Sequence, residues 1–173
     1  SDRSWTSLLR RSKSDADERT SAGPSRLLVV DDDADARELI SRILEQATYT
    51  VERCPDHNAA IAAVKQADPP FSGVVVDFQG GGTSSSLKLL DAIRHIDDKV
   101  RAKTPTLILT STDTNQVFAW QSGSDGFLVR PFHADDLVDG VHSMLERTPD
   151  EREQHRRDRM KQARSAQARR IAE

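Results

Sequence analysis

The chain has one cysteine, Cys54, so no disulfide can form within it, and nothing beside that cysteine makes a metal or redox motif. Aromatic residues make up 5% of the sequence, with a single tyrosine. No apolar run approaches the length that crosses a bilayer, and no signal peptide is visible at the start. These absences lead us to expect a soluble, cytoplasmic protein with no membrane insertion. A basic excess is also missing from the body of the chain. Residues 25 to 150 carry 12 Lys and Arg against 20 Asp and Glu, whereas residues 151 to 173 carry 8 against 4. A dedicated nucleic-acid binder places its basic footprint on the folded domain, so nucleic acid is not the expected partner. The 173 residues are enough for one ordinary domain with tails.

What is present centres on Leu27-Leu28-Val29-Val30 running into Asp31-Asp32-Asp33, and on Val74-Val75-Val76 running into Asp77. A short apolar run that ends in carboxylates reads as a buried parallel strand whose carboxyl end opens on a polar crevice. On neighbouring strands, two such runs would bring Asp31, Asp32 and Asp77 together, and three carboxylates require a positive charge among them. A hard divalent cation with oxygen ligands suits such a set, and Mg²⁺ is the natural choice.

Strand and helix patterns alternate along the chain. Strands are expected at Leu27 to Val30, Tyr49 to Arg53, Val74 to Val76, Pro105 to Leu109 and Gly126 to Val129. Helices are expected between them, one opened by Pro55-Asp56, one capped by Ser84 to Ser86, a weak one over Asn115 to Gln121, and one over His133 to Glu146. This (βα)₅ pattern implies a parallel sheet with helices on both faces. Thr148-Pro149-Asp150-Glu151 then starts a further, polar helix. It has no continuous apolar stripe, which leaves open a solvated extension or a helix that binds a partner. The expected layout is a disordered tail over 1–24, a domain over 25–147 and a charged helix over 148–173. Within the tail, Trp5 to Arg11 forms a small apolar and basic patch.

Thr110 and Arg130 fall at the ends of the fourth and fifth strands, on the same side as the acids. Together with Leu107-Ile108-Leu109-Thr110-Ser111 and Gly123 to Phe132, this arrangement resembles the receiver domain of two-component response regulators over residues 26 to 147. The resemblance implies a flavodoxin-like α/β three-layer fold with strand order 2-1-3-4-5. It also implies that Asp77 accepts a phosphoryl group from a histidine kinase or phosphotransfer protein, and that Mg²⁺ is held by Asp31, Asp32, Asp77 and the backbone carbonyl of Gln79. Thr110 and Arg130 would contact the phosphoryl group. Asp33 is read as a helix cap. Homodimers are common in the family, and receivers are signalling modules rather than enzymes.

Three departures qualify the likeness. Arg130 stands where the family carries Lys, and a planar fork does not replace a point charge conservatively. Gly80-Gly81-Gly82 replaces a Met-Pro turn, and the segment between Thr110 and Phe127 is short and polar. Phe127 also lacks the hydroxyl of the family's Tyr. An adaptor that works without phosphorylation is therefore the alternative reading. A hydrolase using Asp31 as nucleophile is the reading supported least, because Asp35 occupies the place of the Thr or Val such enzymes carry and no suitable Lys is evident. The five His are read as surface or capping residues.

Overall fold

The four-residue apolar runs become strands because side chains alternating to opposite faces of a sheet bury every position when both faces are covered. In the computed structural model, which describes residues 25–80 and 82–173, five parallel strands form one sheet in the order β2-β1-β3-β4-β5. They are β1 (Arg26–Val30), β2 (Thr50–Cys54), β3 (Gly73–Val76), β4 (Thr106–Thr110) and β5 (Gly126–Val129). The helices are α1 (Ala34–Gln46), α2 (His57–Gln66), α3 (Gly82–Arg94), α4 (Gln116–Gln121), α5 (Ala134–Glu146) and α6 (Pro149–Ala172). The expectations placed on residues 1–24, including the Trp5 patch, lie outside the described residues.

Alternation divides the core. Leu27, Val29, Val75 and Leu109 pack against Ile40 and Leu44 of α1 and against Leu137, Val141 and Met144 of α5. On the other face Leu28, Val30, Val74 and Val76 meet α2 and α3 through Val64, Leu89 and Ile93. A third cluster, Leu90, Ile108, Ala119, Trp120 and Phe127, continues this second face toward α4. The result is a parallel sheet with helices on both faces, as the alternation of strands and helices predicts, in the flavodoxin-like order that the resemblance implies.

Several boundaries differ from expectation for local reasons. The second strand is shifted by one residue to Thr50–Cys54, and Tyr49 instead packs at the edge of the α1–α5 core. Thr110 is the last residue of β4 rather than the residue after it. Ser84 to Ser86 lie inside α3 and do not cap it, because the helix already begins at Gly82, whose φ of 59° is a left-handed value that glycine adopts at no steric cost. A single helical turn at Lys99–Ala102, capped by Asp98, was not anticipated.

The last helix begins as the sequence indicated. The Thr148 hydroxyl accepts from the Glu151 amide, and the Glu151 carboxylate accepts from the Thr148 amide, a reciprocal capping box with Pro149 in the first turn. α6 does not project as a solvated extension, because Met160 and Ala163 pack against the third core cluster. No helix among the described residues is long and apolar enough to cross a membrane.

Candidate functional site

Register brings the sequence-predicted residues to one end of the sheet. Val30 pairs with Val76, so Asp31 and Asp77 leave adjacent strands side by side. Thr110 pairs with Val129, which places Arg130 next to it, and the Arg130 amide donates to the Thr110 carbonyl at 2.8 Å. The carboxyl ends of β1, β3, β4 and β5 thus surround one crevice, where open α/β sheets bind ligands.

Asp31 is fully buried. Its Oδ1 accepts from the Asp33 amide at 2.9 Å, while Oδ2 is buried without a hydrogen-bond partner. Burial, with the nearby charges of Asp32 and Asp33 adding to it, pushes this carboxyl up to about 6. Asp32 is exposed, and its two oxygens accept from the amides of Gln79 at 2.6 Å and Gly80 at 2.9 Å. Desolvation pushes its pKa upward, yet the amide bonds outweigh that effect and hold Asp32 below the usual carboxylate range. Asp32 thereby pins the loop from β3 to α3. A Cβ at Gly80 would lie 2.9 Å from Asp32 Oδ2, so a larger residue there pushes this exposed carboxylate aside. Asp33 caps α1, accepting from the Ala36 amide at 3.0 Å.

Asp77 is buried to 2% exposure, and its carboxylate faces the guanidinium of Arg130 in a two-pronged ion pair. One prong, Nη1 to Oδ1, measures 3.0 Å. The Arg130 side chain keeps 30% exposure and lies over the Phe132 ring, 5.6 Å from its centre. Thr110 is buried, with its hydroxyl 2.7 Å from that of Thr83 at the start of α3. A cleft of about 150 Å³ is lined by Asp77, Thr83, Thr110, Thr112 and Arg130 among others.

Thr83 is the site residue that sequence reasoning missed. Its only signal was a position directly after the glycine run, and nothing along the chain tied it to Thr110. Arg37 was missed as well, although its guanidinium donates to the Asp31 carbonyl at 2.8 Å.

The donors suit a hard cation in kind, since all are oxygens and Asp31 Oδ2 is a buried acceptor lacking a donor. Among the described residues, however, no group of three or more His, Cys, Asp and Glu side chains is gathered to hold a metal. Each Asp32 oxygen accepts one loop amide and each Asp77 oxygen faces one N–H of Arg130, which leaves lone pairs on both carboxylates.

Comparison with known proteins agrees with this geometry. The family model described as "Response regulator receiver domain" matches residues 27–142. The chain belongs to the receiver domain family of response regulators, signalling modules of two-component systems. It is 29% identical over 125 residues to the transcriptional regulatory protein ResD of Bacillus subtilis, an alignment covering 71% of this chain and 49% of that one. It thus spans about half the length of the curated relatives it matches. The chemotaxis response regulator CheY4 of Vibrio cholerae superposes with a TM-score of 0.60 at 26% identity, over 70% of this chain and 98% of that chain. The receiver domain of the sensor histidine kinase PA1611 of Pseudomonas aeruginosa shares the fold at 16% identity, with a TM-score of 0.62 over 72% of this chain and all of that one. That structure has a magnesium ion coordinated in its active-site cleft.

Proposed function

We propose that this protein accepts a phosphoryl group on Asp77 from a histidine kinase or phosphotransfer protein in the cytoplasm and signals through protein contacts. The observation that carries the reading is the state of Asp77. It is a buried carboxylate at a strand end, beside an unpartnered Asp31 oxygen, and its counter-charge is a side chain that reaches solvent.

An Asp77 oxygen attacks the phosphorus of the donor's phosphohistidine, the P–O bond forms as the P–N bond breaks, and the imidazole leaves. Arg130 releases the carboxylate and turns its fork to the equatorial phosphoryl oxygens, an acceptor geometry it fits with two hydrogen bonds. Thr110 gives up its bond to Thr83 and donates to a phosphoryl oxygen. Asp31, Asp32, Asp77 and the carbonyl of Gln79 are the residues that would hold Mg²⁺, which when bound offsets the negative charge of the phosphoryl oxygens.

The ion pair itself favours a second reading, an adaptor in which Arg130 permanently neutralises Asp77 and no phosphoryl group is taken. Intact-mass measurement after incubation with acetyl phosphate and Mg²⁺ separates the two. The first reading expects one phosphoryl adduct in the wild type and none in Asp77→Asn. Absence of the adduct in folded wild-type protein, with acetyl phosphate and with a cognate kinase, establishes the adaptor.

A further inference from the structure

The spacing of residues on α3 decides what stands at its start. Leu90 and Ile108 belong to the same buried cluster, so α3 lies against β4. Thr83 precedes Leu90 by about two helical turns and falls on the same stripe. Thr110 follows Ile108 by one strand repeat and falls on the same face of β4. The two threonines therefore meet at the carboxyl end of the sheet, each 5% exposed, with their hydroxyl oxygens 2.7 Å apart.

Thr83 is free to reach across because of where its helix begins. A threonine further along a helix can bond a carbonyl of the preceding turn. α3 starts at Gly82, so Thr83 has no preceding turn behind it. Thr110 is as narrowly served. Its Oγ1 accepts from the Thr112 amide at 3.3 Å, and the Thr112 hydroxyl is itself paired with that of Thr114 at 2.6 Å. Among the described residues, Thr83 is the one side chain that hydrogen-bonds the Thr110 hydroxyl.

Both threonines line the cleft beside Asp77 and Arg130. A hydroxyl carries a single proton to donate. A phosphoryl oxygen on Asp77 is a charged acceptor, and such hydrogen bonds are about twice as strong as those to a neutral oxygen. Thr83 and the phosphoryl group thus compete for the Thr110 proton.

We infer that Thr83 is a positioning residue for phosphoryl transfer at Asp77, holding the Thr110 hydroxyl at the cleft wall in the resting protein and thereby setting how readily it passes to the phosphoryl group. This rests on the reading of Asp77 as the phosphoacceptor. Removing the Thr83 hydroxyl acts in one direction. The resting state loses a buried hydrogen bond, whereas the occupied state has already given that bond up. Occupancy of Asp77 is favoured as a result.

The probe is beryllium fluoride, a tetrahedral anionic mimic of the phosphoryl group, titrated with Mg²⁺ into the full chain and followed through the amide resonances of Thr110 and Thr112. Thr83→Val keeps the shape of the side chain without its hydroxyl, and it should bind the probe about fivefold more tightly than wild type, the worth of one ordinary hydrogen bond. Thr83→Ala should shift the same way, so the test survives if either variant fails to fold. Thr83→Ser, which restores the hydroxyl, should return the affinity to that of wild type. Affinity in folded Thr83→Val and Thr83→Ala equal to or weaker than wild type overturns the inference. So does a Thr83→Ser that behaves like Thr83→Val, since packing and not the hydroxyl is then responsible. Failure of wild type to bind the probe, or binding retained in Asp77→Asn, overturns the reading of Asp77 and this inference with it.

Discussion

The molecule holds two aspartates that are equally buried and both faced by arginine, and they are held in different ways. Asp77 has a single guanidinium on both oxygens, contributed by a side chain with 30% exposure, and it lines a cleft. Asp125 has Arg94 and a backbone amide on one oxygen and Arg156 on the other, with Arg152 nearby. Burial and charge pairing therefore do not distinguish the two carboxylates. The difference lies in whether the lone pairs can be uncovered by moving one side chain. At Asp77 one rotation of Arg130 uncovers both oxygens, whereas at Asp125 freeing both requires three elements to part.

The contrast is broken most severely by removing each carboxylate in turn. Asp125→Ala leaves several guanidiniums crowded without their counter-charge, and denaturant unfolding should show a loss of about 3–5 kcal/mol. Asp77→Ala leaves one guanidinium, already 30% exposed, that turns to water. Its stability should stay within about 1 kcal/mol of wild type. Equal losses at the two sites would contradict the distinction.

A second comparison swaps the cation beside Asp77. Arg130→Lys exchanges a two-pronged pair for a single point charge, so Asp77 should be released more readily. The rate of phosphoryl adduct formation from acetyl phosphate should rise about tenfold, the equivalent of one hydrogen bond of about 1.4 kcal/mol. Slower labelling in this variant would mean that the fork assists transfer rather than restrains it.

Smaller effects test the supports of each site. Gly80→Ala brings a methyl group to 2.9 Å from Asp32 Oδ2, the end of an exposed side chain that swings aside, so the loss in thermal or denaturant unfolding should stay below about 1 kcal/mol. At the other site, His155 is held below its ordinary pKa by burial against Trp120 and by the charges of Arg147 and Arg159, partly offset by Asp125 and Asp158. A depressed histidine contributes stability that is present above its ordinary value of about 6.5 and lost as pH falls below it. Acidification from pH 7.5 to 5.5 should therefore loosen α6 modestly, seen as faster amide exchange along Arg152 to Ala163. His155→Gln should flatten that dependence.

The parts of this protein that could be read along the chain are those where neighbouring residues carry the signal. The apolar runs into Asp31 and Asp77 marked strands and their ends, and the alternation with helical spacing led to a parallel sheet with helices on both faces, while the strand order came from the resemblance to receivers. Asp33, Asp56 and Thr148 were legible because a cap acts within three residues of itself. Thr83 was not legible, since its bond to Thr110 spans 27 positions and nothing local distinguishes it from the serines that follow. His155 likewise reads as a surface residue until Trp120 is placed against it.

The sequence by itself determined the parallel sheet covered by helices on both faces and the strand ends at Asp31 and Asp77, because burial periodicity and strand-end carboxylates are written locally. Only the tertiary structure decided the partners of those groups. That Arg130 takes Asp77 and not Asp31, that Asp32 is spent on loop amides, and that a helix without an apolar stripe closes the α4–β5 face all depend on which distant atoms meet. The last case shows the reason most plainly. The attraction of α6 for the body rests on Arg152, Arg156, Arg159 and Arg170, the His155 ring, Met160 and Ala163, and these have meaning only opposite Asp125, Trp120 and Asp113.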